Sequence, residues 1–196
     1  GSTIFAGDGF TQRVKIFEQA VVGGSGGGTN AVSKELRSWD ALSFMPPATG
    51  TNAALWAPRG NGIPAVSFAG SSPRTASVLL KVPQGHDLSG GLQLVLDACS
   101  TTAISTSNVV MQAQYQLLSP SAATVDTSSY SGAVLITNVF PGVVGVATNL
   151  TFNCPSWVFT AGQLYQIEFK RVTDSASDTN DASAVVVFNA QANTIN

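Results

Sequence analysis

Charge is what this sequence has least of. Of its 196 residues, 10% are Asp, Glu, Lys or Arg, against about 25% in an ordinary globular domain. The formal net charge is -2, and no basic cluster stands out. That argues against a nucleic-acid partner, because neutralising phosphates takes a concentrated Lys/Arg surface. Histidine is scarcer still, with His86 alone. It lies in Pro83-Gln84-Gly85-His86-Asp87, which reads as a solvated turn between two strands. No Gly-x-Ser-x-Gly elbow accompanies it, so a Ser-His-Asp hydrolase is not expected. One histidine and two distant cysteines cannot supply a zinc site of the usual spacing. No apolar run nears the roughly 20 residues of a membrane helix. No cofactor, no metal and no membrane insertion are therefore expected.

Cysteine is limited to Cys99 and Cys154. Leu92, Leu94, Leu96 and Ala98 share one strand face, which puts Cys99 on the other face or in the following loop. Cys154 continues the apolar face of Leu150 and Phe152. Two thiols facing opposite ways are read as free rather than bridged, since a disulfide needs specific geometry.

What is present is alternation. From Val109 to Leu117, Val109, Met111, Ala113, Tyr115 and Leu117 point one way. Val110, Gln112, Gln114 and Gln116 point the other. A period of two marks a half-buried β-strand. Further strand candidates are 65–69, 76–82, 92–98, 133–139, 146–154, 164–172 and 184–190. Pro83-Gln84-Gly85, Ser89-Gly90-Gly91, Ser119-Pro120 and Thr160-Ala161-Gly162 separate several of them as turns. Ser33–Ser38 reads as one short helical turn. The pattern predicts an all-β fold: an antiparallel β-sandwich or jelly roll of about nine strands.

Thr11–Val22 reads as a first strand, followed by Gly23-Gly24-Ser25-Gly26-Gly27-Gly28. That run lacks the basic residues of a phosphate-binding loop and reads as a hinge. The expected division is an arm and hinge over 1–32 and a sandwich body over 33–196.

Few residues suggest a site. Asp174, Asp178 and Asp181 crowd the loop after Arg171 and are weak calcium candidates, lacking the strict EF-hand spacing. A serine-rich solvated loop is the plainer reading, with Arg171 pinning it through Asp178 or Asp181. Asp97 and Glu168 are a conceivable hydrolase pair on outward strand faces. Trp56 and Trp157 adjoin turns, where an exposed ring could stack on a sugar; capping an end of the core, as for Trp39, is the plainer reading. The uncharged row Val110, Gln112, Gln114 and Gln116 is the expected subunit contact, because burying it strands no charge.

Tyr165-Gln166-Ile167-Glu168-Phe169-Lys170-Arg171, then Asp178-Thr179, Asp181-Ala182 and Val185-Val186-Val187-Phe188, resemble the closing strands of bacteriophage structural β-sandwiches. Trp39-Asp40-Ala41 and Lys81-Val82-Pro83 are similar in the same way. The resemblance is to head-fibre, spike, decoration and tail-knob proteins. It implies a non-enzymatic homo-oligomer, by preference a trimer, on the capsid or tail surface of a virion. Its partners would be other virion proteins and a host-surface glycan. It carries over no catalytic residue. The alternative is a secreted carbohydrate-binding module, and after that a glycan hydrolase.

Overall fold

Alternation along the strands forces two sheets to share one core. In the computed structural model the described residues are 34–47, 53–86, 88–102, 107–118, 129–141, 143–179 and 184–195. They form ten strands: β1 (Lys34–Asp40), β2 (Leu55–Trp56), β3 (Val66–Phe68), β4 (Arg74–Lys81), β5 (Leu92–Ser100), β6 (Asn108–Leu117), β7 (Ser131–Val139), β8 (Thr148–Cys154), β9 (Leu164–Arg171) and β10 (Val185–Thr194). One sheet runs β2-β3-β10-β5-β8, with β1 also on β10; the other runs β4-β9-β6-β7. All strand pairs are antiparallel. From β3 onward the chain fills the two sheets in the orders 3-10-5-8 and 4-9-6-7, which is a jelly roll.

The expected period appears directly in burial. Along β9, Tyr165, Ile167, Phe169 and Arg171 are buried while Gln166, Glu168 and Lys170 are half-exposed. Leu92, Leu94, Leu96 and Ala98 of β5 meet Phe169, Met111 and Ala113 in a continuous core. Each fully buried Leu or Phe contributes about 1.5–3 kcal/mol by leaving water. Trp39 closes one flank: its Nε1 donates to the carbonyl of Leu79 at 3.0 Å, tying β1 to the facing sheet. Met45 exchanges backbone hydrogen bonds with Ser77, and Ala54 donates to Thr75, so β4 is covered along its outer edge.

Two expectations change. Ser33–Ser38 is not a helical turn: Lys34–Asp40 is a strand. Its helix-favouring residues are overruled by pairing with Lys34↔Thr194 through Asp40↔Asn189 on β10. The strand count is ten among the described residues, because β1 and the two-residue β2 join the sheet. The strand at Thr11–Val22 and the glycine hinge lie outside the described residues. Cys99 and Cys154 are both free and buried. Cys99 faces away from the main core and Cys154 faces into it.

Candidate functional site

The outer face of the four-stranded sheet carries a continuous set of uncharged polar side chains. Register places them in rows: Gln112 beside Lys170, Gln114 beside Glu168, Gln116 beside Gln166, and Glu168 in turn beside Ser77. The side chains bond across the strands. Gln112 Nε2 donates to Gln114 Oε1 at 2.8 Å. Gln114 Nε2 donates to Glu168 Oε1 at 2.7 Å. Gln116 Nε2 donates to Gln166 Oε1 at 2.6 Å, and Gln166 Nε2 donates to Ser77 Oγ at 2.7 Å. Local alternation gives each strand its row, and antiparallel register stitches the rows into a ladder.

These side chains sit low. Gln112, Gln114, Gln166, Glu168 and Lys170 are half-buried, and Gln116 and Ser77 are buried. Burial pushes the Glu168 carboxyl above its ordinary range, against smaller opposing pulls from the Gln114 hydrogen bond and the Lys170 charge. Tyr130, just ahead of β7, joins the same environment. Its hydroxyl is pushed up to about 12, first by burial and then by the Glu168 charge. The Tyr130 hydroxyl thus lies within reach of the Glu168 charge.

Each carboxamide has two N–H donors and two acceptor lone pairs. Gln114 spends one donor and one acceptor position in the ladder. Its remaining donor and acceptor capacity, in an orientation fixed by its neighbours, suits a ligand bearing hydroxyl groups. Along β9 the face carries one carboxylate and one ammonium, Glu168 and Lys170, and Lys81 stands exposed on the same face at the end of β4.

The structure brings Gln112, Gln114 and Gln116 together as expected. Within the single chain Val110 is 2% exposed and Gln116 7%, while Gln112 and Gln114 are half-buried. Val110 also has its amide held by Asp178 Oδ2 at 3.1 Å. Tyr130 was not singled out in the sequence. It belongs to no alternating run, and only the register of β6 and β9 brings Glu168 and the glutamines together near it.

Trp157 is a correction. It is 1% exposed, with its Nε1 donating to the carbonyl of Gly132 at 2.6 Å. Its ring lies among Tyr115 and Phe159, at centroid distances of 4.8 and 5.9 Å. It caps the core and has no face left for a sugar. Trp56 is 44% exposed at the end of β2, on the far sheet from the glutamine ladder. The two candidate rings therefore do not form one platform.

The acidic loop is also settled in part. Asp178 is buried, with Oδ1 accepting from Arg171 Nη2 at 3.0 Å and Oδ2 from Arg171 Nε at 3.1 Å. A carboxylate so engaged is not an open calcium ligand. Asp174 is exposed three residues after the end of β9, and Asp181 lies outside the described residues. Among the described residues no group of three His, Cys, Asp or Glu side chains could hold a metal. Asp97 bonds Asn189 Nδ2 on the outer face of the larger sheet, while Glu168 lies on the outer face of the other. The sandwich separates the two, so they cannot flank one glycosidic bond.

No protein-family model matches the chain, and no curated protein sequence matches it. Among solved structures it is similar to the CBM22-1 xylan-binding domain from Paenibacillus barcinonensis, at 8% identity and TM-score 0.46, over 83% of this chain and 96% of that one. It is also similar to a family 11 carbohydrate-binding module from Clostridium thermocellum in complex with a mixed-linked tetrasaccharide, at 12% identity and TM-score 0.43, over 82% and 96%. A third is the low-affinity xylan-binding module CBM86 from Roseburia intestinalis, at 15% identity and TM-score 0.35, over 79% and 92%.

Proposed function

We propose that this protein is a glycan-binding module whose ligand lies along the outer face of the four-stranded sheet. The observation that carries the reading is the ladder Gln112–Gln114–Glu168, with the Tyr130 hydroxyl within reach of the Glu168 charge. Sugar hydroxyls both donate and accept, and fixed carboxamides offer both partners at once. An aromatic ring supplies an apolar surface for the C–H face of a pyranose. Glu168 and Lys170 balance one another in the middle of the ladder, which suits a neutral polysaccharide. Binding requires no bond-making step, so the reading is a non-enzymatic one, with an extracellular setting where such polysaccharides occur.

Affinity electrophoresis and calorimetry of the whole chain against neutral polysaccharides, xylan and mixed-linked β-glucan among them, test it. The expected result is retardation by at least one of them, lost in Gln114→Ala and in Tyr130→Ala while both variants keep the wild-type melting temperature within a few degrees. Retardation unchanged in both folded variants, or none on any neutral polysaccharide, overturns the reading.

Self-assembly is the second reading, favoured by the edge strand β7. Its sequence, Ser131–Val139, holds no charged residue, and Leu135 and Val139 are exposed. An uncharged edge of that length is open to pairing with another chain. A homotrimeric virion module would use it so.

A further inference from the structure

The larger sheet carries a second recess, on the side away from the core. It has a volume of about 390 Å³, within the range of about 300–1,000 Å³ typical of small-molecule sites. Its floor is Cys99 of β5 and Phe188 of β10. Phe188 is the extra residue where the β5–β10 register shifts between Val187 and Asn189, on the same side as Val186. Beneath lies a small apolar cluster of Ala65, Cys99 and Val186, distinct from the main core. Ile63 and Ala147 complete the apolar walls.

One charge borders this recess. Arg59 opens a tight turn in which its own N–H donates to the Ile63 carbonyl at 2.9 Å and Gly62 donates back to the Arg59 carbonyl at 3.0 Å. The turn fixes the root of the side chain. Its Nη2 reaches over Gly145, whose positive φ of 77° and hydrogen bond to the Ser100 carbonyl hold the opposite rim. Among the described residues Arg59 has no ion-pair partner. Cys99 supplies no balancing anion, because burial pushes its thiol up, more than the Arg59 charge pulls it down.

We propose that this recess is a binding site for a small organic monocarboxylate with a flat apolar body, the acid paired with Arg59 and the body over Cys99 and Phe188. A guanidinium pairs a carboxylate bidentately. One cation neutralises one charge; a dianionic phosphate ester would keep an uncompensated charge against apolar walls. The recess and the glutamine ladder lie on outer faces of different sheets, so this site is independent of glycan binding.

The test uses the whole chain with benzoate as the probe, followed by calorimetry and by amide chemical-shift mapping. Benzamide serves as the neutral isostere and phenyl phosphate as the dianion. Benzoate is expected to bind about tenfold or more tighter than benzamide, the gain of one charge-assisted pair. Shifts should concentrate at Cys99, Gly145, Ala147 and Phe188. In Arg59→Gln, which keeps the backbone bonds of the turn, benzoate and benzamide should bind equally weakly. In Ala147→Phe, which fills the recess, both should be lost. Equal affinity of the two in the wild type, no binding of benzoate at millimolar concentration, or an advantage that persists in Arg59→Gln overturns the proposal. Tighter binding of phenyl phosphate than of benzoate overturns the monoanion assignment.

Discussion

Arg171 and Asp178 form an ion pair wholly inside the protein, with side chains 0% and 1% exposed and a Nη2–Oδ1 distance of 3.0 Å. Asp178 Oδ2 also accepts from the Val110 amide, so one carboxylate joins the end of β9, the loop after it and β6. Removing one partner leaves the other charge buried and unmatched, which costs about 3–5 kcal/mol. Arg171→Ala and Asp178→Ala should each lower Tm by roughly 10 °C, at about 2–4 °C per kcal/mol for a domain of this size. Differential scanning calorimetry measures this; a Tm within a degree or two of wild type would show that the pair holds nothing together.

Glu168 gives stability a pH signature of its own. Its carboxyl is raised in the folded state, so the folded protein holds that proton more tightly than the unfolded chain does. The contribution is therefore greatest below the ordinary glutamate range and is lost as pH rises through the raised folded value. Glu168→Gln keeps an acceptor for Gln114 and removes the ionisation. The variant should gain on wild type in urea unfolding at neutral pH, and the gain should shrink in acid. A wild-type-minus-variant difference that stays flat with pH contradicts this.

Gly91 enters β5 with φ at +84°. A Cβ there would press on the Cys154 carbonyl oxygen and on Pro155 Cα at 2.6 Å, both backbone. Gly91→Ala should cost at least about 1–3 kcal/mol from the left-handed conformation alone, and more from the collision. Chemical denaturation reads the loss. Gly60→Ala, where no atom lies within 4 Å of the added Cβ, serves as the tolerant control.

Self-association through β7 has a direct check. Leu135→Lys places a charge on an exposed edge position and leaves the core untouched. If the edge joins copies, light scattering should show an oligomer for wild type and a monomer for the variant, with little change in Tm. A wild type that stays monomeric at high concentration removes this reading.

Most strands from β3 to β9 were legible because they alternate and are bounded by turn residues, while β10 was legible as the apolar run 185–188 but extends to Thr194. β1 was not: Lys34, Glu35, Leu36 and Arg37 all favour helix, and only the pairing with β10 makes them extended. The site was half legible. Gln112, Gln114 and Gln116 announce one polar row, but their link to Glu168 and Gln166 depends on the non-local register of β6 with β9. Trp157 caps the core, the plainer of its two readings, but what it packs on was not legible: Tyr115, Phe159 and the Gly132 carbonyl are not brought together by sequence order.

The position of β10 bears on how the chain reaches this fold. It is the last of the ten described strands in chain order, and it pairs with β1, β3 and β5 at once. Until it docks, three strands made much earlier have no neighbour on that side. Closure must then span most of the chain at once, which slows folding. During that interval the waiting edges are open to the strands of other molecules. A substitution that weakens Val185–Thr194 should therefore show first as lost yield on refolding.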